Sequence, residues 1–145
     1  MYIAHNQVRM HDTDMAGILF FARQFRFAHD ALEDFAASEG FQFNDVFQNR
    51  DFLFVIVHAE ADYMIPLMVS DKLEVHLAIE QVGQSSFTAA YDIYKVENEG
   101  LTLAGRAKTV HVTIDKKKRT KIPIPDDLRE TLVKHKKGRD EKVNE

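Results

Sequence analysis

Two carboxylates stand near the start of the chain, Asp12 and Asp14, in the polar segment HDTDMAG at residues 11–17. The apolar pattern becomes helical from Leu19, so both carboxylates precede the first turn of a helix. That turn has free backbone N–H groups and the positive end of the helix dipole, which together can bind a developing oxyanion. A carboxylate close to such a turn can attack a carbonyl carbon or activate a water molecule. The segment therefore combines the two parts that acyl-transfer chemistry needs.

A structural role fits the same two carboxylates. Aspartate is among the best helix N-caps, so Asp12 or Asp14 could do no more than cap the helix. Gly17 permits a tight turn and a close approach of the backbone to a ligand, which suits either role. The residues by themselves leave capping and catalysis open.

The elements that must hold this segment are a strand, a long helix and four further strands. The helix is predicted from apolar residues that share one face: Phe21, Phe25, Ala28, Leu32 and Phe35. It should end near Ser38, before Gly40. The remaining predictions are a strand within residues 2–10, a connecting segment over 41–51, strands over 52–63, 71–82, 86–96 and 101–114, and a short terminal helix around residues 128–133.

Period-2 patterning with short connections favours an antiparallel sheet. The early part of strand 52–63 is apolar on both faces, which is typical of a fully buried strand. The last strand ends in the row Val110, Val112, Ile114. The long helix needs an apolar surface to cover, and the sheet is the only one available, so we expect an α+β arrangement in which the sheet curves around one helix.

The bulk composition narrows the range of functions. A chain of 145 residues suits one domain, predicted over residues 1–133, with a charged and flexible tail over 134–145. A net charge of -4 gives no reason to bind nucleic acid or an anionic membrane. The absence of cysteine excludes disulfides and a cysteine nucleophile. No signal-peptide pattern or apolar run of about 20 residues occurs, so we expect a cytoplasmic protein.

Residues 12–21, DTDMAGILFF, resemble the signature loop of the 4-hydroxybenzoyl-CoA thioesterase family, which has the form D-x-D-x-x-G followed by apolar and aromatic residues. Further resemblances follow in the family's order along residues 5–125: ADY at 61–63 with Pro66 and Leu67, DKL at 71–73, and GQSSF at 83–87. The resemblance implies a hotdog fold, about five antiparallel strands wrapped around one long helix. It also implies hydrolysis of an acyl-CoA thioester without a metal or other cofactor.

The resemblance also implies roles for particular residues. The family's catalytic aspartate corresponds to Asp14, its backbone N–H oxyanion donor to that of Phe21, and its loop glycine to Gly17. The hydratases of the same fold pair their aspartate with a histidine at the position of Leu19, so dehydration chemistry is not expected.

Substrate-binding residues are predicted at three further places. Ser85 and Ser86 are either turn residues or part of the channel for pantetheine or the acyl group, and the context of a serine nucleophile is missing. His58 shares a strand face with Glu60 and Asp62, where we expect an interface or acyl pocket and no metal site. The third place is a basic run, either a solvated strand end or a contact for coenzyme A phosphates: Lys116, Lys117, Lys118, Arg119 and Lys121.

The expected substrate is an acyl-CoA. An aromatic acyl group such as 4-hydroxybenzoyl or 1,4-dihydroxy-2-naphthoyl fits the phenylalanine-rich helix, although core packing explains the same residues. An acyl-carrier-protein thioesterase and a non-catalytic acyl-CoA-binding protein are the alternatives. A partly apolar sheet with an open edge predicts a homodimer or a dimer of dimers, with each active site built from two chains.

Overall fold

The structure is a computed structural model that describes residues 1–136. Its strands and helices are β1 (Tyr2–Gln7), α1 (Gln24–Ser38), α2 (Phe43–Asn49), β2 (Phe52–Tyr63), β3 (Lys72–Val82), β4 (Ser86–Glu97), β5 (Gly100–Asp115) and α3 (Asp126–Lys134). Two single 3-10 turns, Met10–Asp12 and Phe21–Arg23, lie between β1 and α1. The second turn leads directly into α1, so the predicted long helix begins in 3-10 geometry and continues as an α-helix.

The strands form one antiparallel sheet of five strands in the order β1-β3-β4-β5-β2. β3, β4 and β5 are the meander that the sequence predicts, because short turns join them. β1 and β2 occupy opposite edges, so the chain must cross the whole sheet between them. α1 makes that crossing over the concave face, which confirms the predicted sheet wrapped around one helix.

The core lies between α1 and the concave face of the sheet. The buried side of α1 consists of Gln24, Phe27, Ala28, Ala31, Leu32, Phe35 and Ala36. It packs on alternating residues of the central strands, among them Val75, Leu77, Ile79, Ala89, Tyr91 and Ile93. Phe21, predicted on the same helix face, is 63% exposed because it precedes the α-helix and sits at the open end of the sheet.

β2 differs from its prediction. The sequence pattern indicated a strand buried on both faces, but β2 pairs only with β5 and forms an edge, where Val55, Ile56 and Val57 are 38%, 48% and 59% exposed. An apolar run indicates that a segment will be covered, yet it does not say by what. Three consecutive exposed apolar residues on an edge strand are an unusual surface to leave in water.

Two other predictions need correction. Residues 41–51 are not a plain connection, because α2 forms there and buries Val46 against the core. The first strand ends at Gln7, and the chain then turns at Met10–Asp12. The row Val110, Val112, Ile114 lies on the convex face, so the polar residues of β5 face α1.

The terminal helix α3 occurs where the sequence predicted it and buries Leu128 and Leu132. The domain boundary at residue 133 stays a prediction, and most of the predicted flexible tail, residues 137–145, lies outside the described residues. Within residues 1–136, no helix is long and apolar enough to cross a membrane.

Candidate active site

The acidic loop folds into a tight hairpin ahead of α1. The Asp14 N–H donates to the Ile18 carbonyl over 2.9 Å, and the Phe20 N–H donates to the Asp12 carbonyl over 2.8 Å. Gly17 closes the turn with a φ of 75°. This angle lies in the left-handed region that a residue with a side chain rarely adopts. The hairpin therefore sets Asp14 a short distance from the turn that begins α1.

Asp14 is exposed and its carboxylate is only partly engaged. Its Oδ1 accepts hydrogen bonds from the N–H groups of Ala16, at 2.8 Å, and Ile18, at 3.4 Å. This arrangement is an Asx turn, which fixes the direction of the side chain. The described residues give Oδ2 no partner, so one carboxylate oxygen remains available for chemistry.

Asp12 occupies a different environment two residues away. Its side chain is fully buried and receives two hydrogen bonds from the Arg26 guanidinium, at 2.8 Å and 2.6 Å, and one from the Arg9 N–H at 2.8 Å. Burial raises the pKa of Asp12, but the bonds from Arg26 and Arg9 and the charges of Arg26 and His11 outweigh burial and hold the pKa below its ordinary value. Asp12 thus ties the loop to α1. Neither aspartate caps α1, whose N-cap is Arg23.

The first helical turn offers the Phe21 N–H as a candidate oxyanion donor. The N–H groups of Leu19 and Phe20 are occupied, by the carbonyls of Leu67 and Asp12. The Phe21 N–H heads the 3-10 turn and has no carbonyl acceptor among residues 1–136. The Tyr63 hydroxyl, at the end of β2, donates to the Phe21 carbonyl over 2.6 Å and holds this turn against the sheet edge. Burial raises the pKa of Tyr63, so the hydroxyl keeps its proton at neutral pH.

Two cavities open beside this turn. One, of about 380 Å³, is lined by apolar residues of the loop and of the segment after β2, including Leu19, Phe21 and Pro66. The other, of about 370 Å³, runs along α1 from Ala22 to His29 over the concave face of the sheet. Each volume lies within the range of about 300–1,000 Å³ that small-molecule sites occupy.

The remaining predicted residues lie away from the loop in this chain. Ser86 pairs with Val112, whereas Ile93 pairs with Gly105 beneath the start of α1. Seven residues of strand separate the two pairs, about 23 Å at roughly 3.3 Å per residue. Ser85 binds Thr113 through its carbonyl, as a turn residue does.

The basic run forms the turn after β5 and lies farther still from the loop. The Lys117 and Lys118 N–H groups donate to the Asp115 carboxylate, Arg119 has a φ of 60°, and the Lys116 ammonium binds the Phe47 carbonyl at the end of α2. This turn lies beside the first residue of β2, at the end of the sheet opposite the acidic loop.

His58 lies on the exposed edge strand β2, where its ring is 3.5 Å from the Glu60 carboxylate. No group of three or more histidine, aspartate or glutamate side chains that could hold a metal occurs among residues 1–136.

Sequence reasoning missed several residues that organise the site. Gln24 is buried at the start of α1, and its amide donates to the carbonyls of Asp62 and Arg106 on two strands. A glutamine on a buried helix face was a detectable signal, because such a group needs internal partners. Arg26 and Tyr63 carried no such signal, since their partners lie 14 and 42 residues away.

Comparison with known proteins shows the family to which the chain belongs. The model of the thioesterase-like superfamily matches residues 8–132. The chain belongs to this superfamily. A 1,4-dihydroxy-2-naphthoyl-CoA hydrolase from Nostoc punctiforme is 34% identical over 121 residues, which are 83% of this chain and 79% of that protein. One from Gloeothece citriformis is 34% identical over 134 residues, 92% of this chain and 93% of its own.

Solved structures agree with the fold of this thioesterase. A 1,4-dihydroxy-2-naphthoyl-CoA thioesterase from Synechocystis superposes with a TM-score of 0.82 at 31% identity, over 91% of this chain and 95% of that one. A 4-hydroxybenzoyl-CoA thioesterase superposes with a TM-score of 0.79 over 90% of this chain and 97% of its own, and at 18% identity it supports the fold alone. The predicted hotdog fold and the predicted activity, acyl-CoA thioester hydrolysis, are confirmed.

Proposed function

We propose that this thioesterase hydrolyses an aromatic acyl-CoA, with the Asp14 carboxylate as its reactive group and the Phe21 N–H as the oxyanion donor. One observation carries the proposal. Both carboxylate oxygens of Asp12 accept hydrogen bonds from Arg26. Asp14 is held in place through one oxygen, and its other oxygen has no partner among residues 1–136. The Phe21 N–H begins the next turn of the same short segment.

The chemistry needs no group beyond these two and water. As a general base, Asp14 takes a proton from water while the hydroxide adds to the thioester carbon, and the Phe21 N–H donates to the oxyanion. The intermediate then collapses, the C–S bond breaks, and the thiolate receives the proton from Asp14. As a nucleophile, Asp14 would instead expel the thiolate to form an anhydride, which water cleaves. The site accommodates either route.

The cavity beside α1 supports an aromatic acyl group. It begins at Ala22, next to the candidate oxyanion donor, and continues past Phe25 and Ile56. A largely apolar cavity that contains an aromatic side chain suits a ring system. The curated relatives named above act on 1,4-dihydroxy-2-naphthoyl-CoA, and we infer that this compound or a close analogue is the substrate here.

The same proposal includes a homodimer formed by two β2 edges. A two-fold axis makes identical edge strands pair antiparallel, which covers Val55 and Val57 and brings the start of one β2 beside the end of the other. The basic turn, which adjoins the start of β2, would then approach the acidic loop of the partner subunit. This geometry supplies the phosphate contacts that one chain alone cannot. The predicted cytoplasmic location stays a prediction.

The test is a hydrolysis screen over a panel of aromatic, short-chain and branched acyl-CoA thioesters. We expect the highest kcat/KM for a hydroxylated aromatic member. Asp14→Asn should lower turnover on that substrate by at least about 10²-fold, because the carboxamide is neither a base nor a nucleophile. Asp126→Asn, at an exposed position of α3, is the matched control and should keep full activity. Normal turnover by a folded Asp14→Asn protein would refute the mechanism.

A further inference from the structure

A buried polar chain crosses the concave face of the sheet beneath α1. The Tyr91 hydroxyl lies 2.9 Å from Thr109 Oγ1, which lies 2.8 Å from His111 Nε2. The three residues are 1%, 5% and 1% exposed. None of them belongs to the acidic loop or the oxyanion turn, so the reaction proposed above makes no use of them.

This row of hydrogen bonds ends at His111, where one ring nitrogen is unsatisfied. His111 Nδ1 is buried and has no hydrogen-bond partner among residues 1–136. Leaving a buried polar atom in that state costs stability, so a native structure usually has a reason for it. Burial, together with the charge at His29, lowers the pKa of His111 to about 4, so the ring is neutral at physiological pH.

Counting protons identifies the orphan atom as a donor. If Tyr91 donates to Thr109 and Thr109 donates to His111 Nε2, one group alone lacks a partner within the described chain, the proton on Nδ1. If His111 Nε2–H donates to Thr109 and Thr109 donates to Tyr91, the Tyr91 proton and the Nδ1 lone pair are both unmatched. If both neighbours donate to Thr109, its own proton and the Nδ1 lone pair are unmatched. The first arrangement leaves the fewest groups unsatisfied and gives His111 an unused N–H.

His111 lines two neighbouring cavities. The first is the cavity of about 370 Å³ that starts at Ala22, and the second, of about 290 Å³, continues toward α2. They share His29, Leu32, Ile56 and His111. The rings of Phe87 and Phe54 pack on the imidazole at centroid distances of 4.8 Å and 5.9 Å and fix its position. A rigid, neutral donor thus lies between two apolar cavities, and the first of them reaches the candidate oxyanion turn at Ala22.

We propose that His111 Nδ1–H is a specificity site that binds an oxygen on the ring of the acyl group, and that this thioesterase selects aromatic acyl groups bearing such an oxygen. The inference rests on the proposed function, which supplies the direction in which the acyl group enters. A ring hydroxyl is the matching ligand, because its oxygen can accept from His111, and His29, which lines the same two cavities, offers a ring nitrogen for its proton. An acyl group without this oxygen leaves the donor unpaired.

The test compares 1,4-dihydroxy-2-naphthoyl-CoA with 1-hydroxy-2-naphthoyl-CoA, which lacks one ring oxygen. Wild type should prefer the dihydroxy compound by about 10-fold or more in kcat/KM. His111→Phe keeps the aromatic stack with Phe87. It should reduce this preference to within about 2-fold, by lowering kcat/KM for the dihydroxy compound and leaving kcat/KM for the other compound unchanged. Equal use of both by wild type, or an unchanged preference in the variant, overturns the proposal.

Further variants protect the test against misfolding. Thr109→Val breaks the polar chain with little change in shape and should weaken the preference, whereas Thr109→Ser keeps the hydroxyl and should retain it. Tyr94→Phe, on the convex face of β4, is the matched control and should behave as wild type. If Thr109→Val retains the full preference, the chain does not orient His111 as argued.

A binding measurement separates this proposal from the proposed function. Calorimetry with the two corresponding thioethers, in which a methylene replaces the thioester carbonyl, reports affinity without turnover. A wild-type preference for the dihydroxy thioether that His111→Phe abolishes supports the subsite even if neither thioester is hydrolysed. Normal hydrolysis with no preference in either measurement refutes the subsite and leaves the proposed function intact.

Discussion

At the scale of single residues, two aspartates separated by one threonine have opposite environments. Asp12 points into the protein and is neutralised by Arg26, while Asp14 faces solvent with one oxygen held by backbone N–H groups. The difference arises because Asp12 ends the 3-10 turn Met10–Asp12, which packs against α1, whereas Asp14 begins the exposed turn that Gly17 closes. A buried ion pair of this kind positions the loop, and an exposed carboxylate held in one direction is suited to react.

The Asp12 pair makes a prediction about stability and pH. Asp12→Asn should lower the free energy of unfolding at pH 7 by about 2 kcal/mol, less than the ~3–5 kcal/mol that breaking a fully buried pair costs. The smaller figure applies because the Arg26 side chain is partly exposed. The pKa of Asp12 is lowered in the folded protein, so its contribution is present above the ordinary value of 3.8 and is lost as the pH falls below it.

Urea denaturation at pH 7 and pH 3 measures this contribution. The difference between wild type and Asp12→Asn should be large at pH 7 and should shrink at pH 3, because the unfolded carboxyl, with its ordinary pKa, already binds a proton there while the folded one resists it. A constant difference across this range would mean that Asp12 stabilises the loop through shape and not through charge.

At the scale of elements, the position of α1 depends on one glycine beneath its first residue. A Cβ at Gly105 would lie 2.5 Å from Gln24 Oε1 and 2.9 Å from the Asp62 carbonyl oxygen. The glycine allows the buried amide of Gln24 to bridge two strands, and this bridge holds the start of α1 beside the candidate oxyanion turn.

Gly105→Ala should therefore destabilise the protein by about 1–3 kcal/mol and lower kcat/KM, because the helix start must move away from the sheet. Gly83→Ala is the control for stability, since its Cβ would meet the Ser86 hydroxyl at 3.3 Å and that side chain can rotate. Thermal melts and steady-state kinetics report the two effects. Similar melting temperatures for the two variants would contradict the argument.

The basic turn gives a second prediction at this scale. Neutralising its five cations, Lys116, Lys117, Lys118, Arg119 and Lys121, should raise KM for acyl-CoA, more strongly at low ionic strength, with kcat nearly unchanged. The phosphates of coenzyme A do not change in the transition state, which is why kcat is spared. The KM for an acyl-pantetheine, which lacks the nucleotide, should not change. An equal loss with acyl-pantetheine would indicate that the turn acts through folding or assembly.

At the scale of the whole molecule, one chain holds only part of the proposed site. The acidic loop lies at one end of the sheet, and the basic turn lies beside the far end of β2 and follows the last residue of β5, Asp115. Along β5, Gly105 and Asp115 are about 33 Å apart at roughly 3.3 Å per residue. Pairing of two β2 edges would resolve this separation and cover the apolar edge in a single interface.

Val57→Lys tests the pairing. A lysine at this exposed edge position should disrupt the dimer and reduce kcat/KM for acyl-CoA, because charge on an edge strand opposes strand pairing. Val96→Lys, at a position 41% exposed on β4, should leave both unchanged. Light scattering at micromolar concentration measures the mass. A wild-type protein that is monomeric and fully active would refute the two-chain site.

The sequence by itself determined the features that depend on near neighbours. Helical and strand periodicity located the long helix and the four later strands, and the order of short motifs indicated the family. The acidic loop was identifiable as the proposed reactive segment because Asp14 and Gly17 lie within a few residues of the helix start.

Tertiary structure decided everything that depends on distant partners. The Arg26 bonds that help to distinguish Asp12 from Asp14 join residues 14 positions apart, and the strand order makes β2 an edge. His111 lies on the buried face of β5 and the apolar row lies on the opposite face. This outcome depends on which face of the sheet α1 covers. These choices follow from contacts between residues far apart in the chain, such as the 82 positions between Gln24 and Arg106, and local sequence patterns contain no record of them.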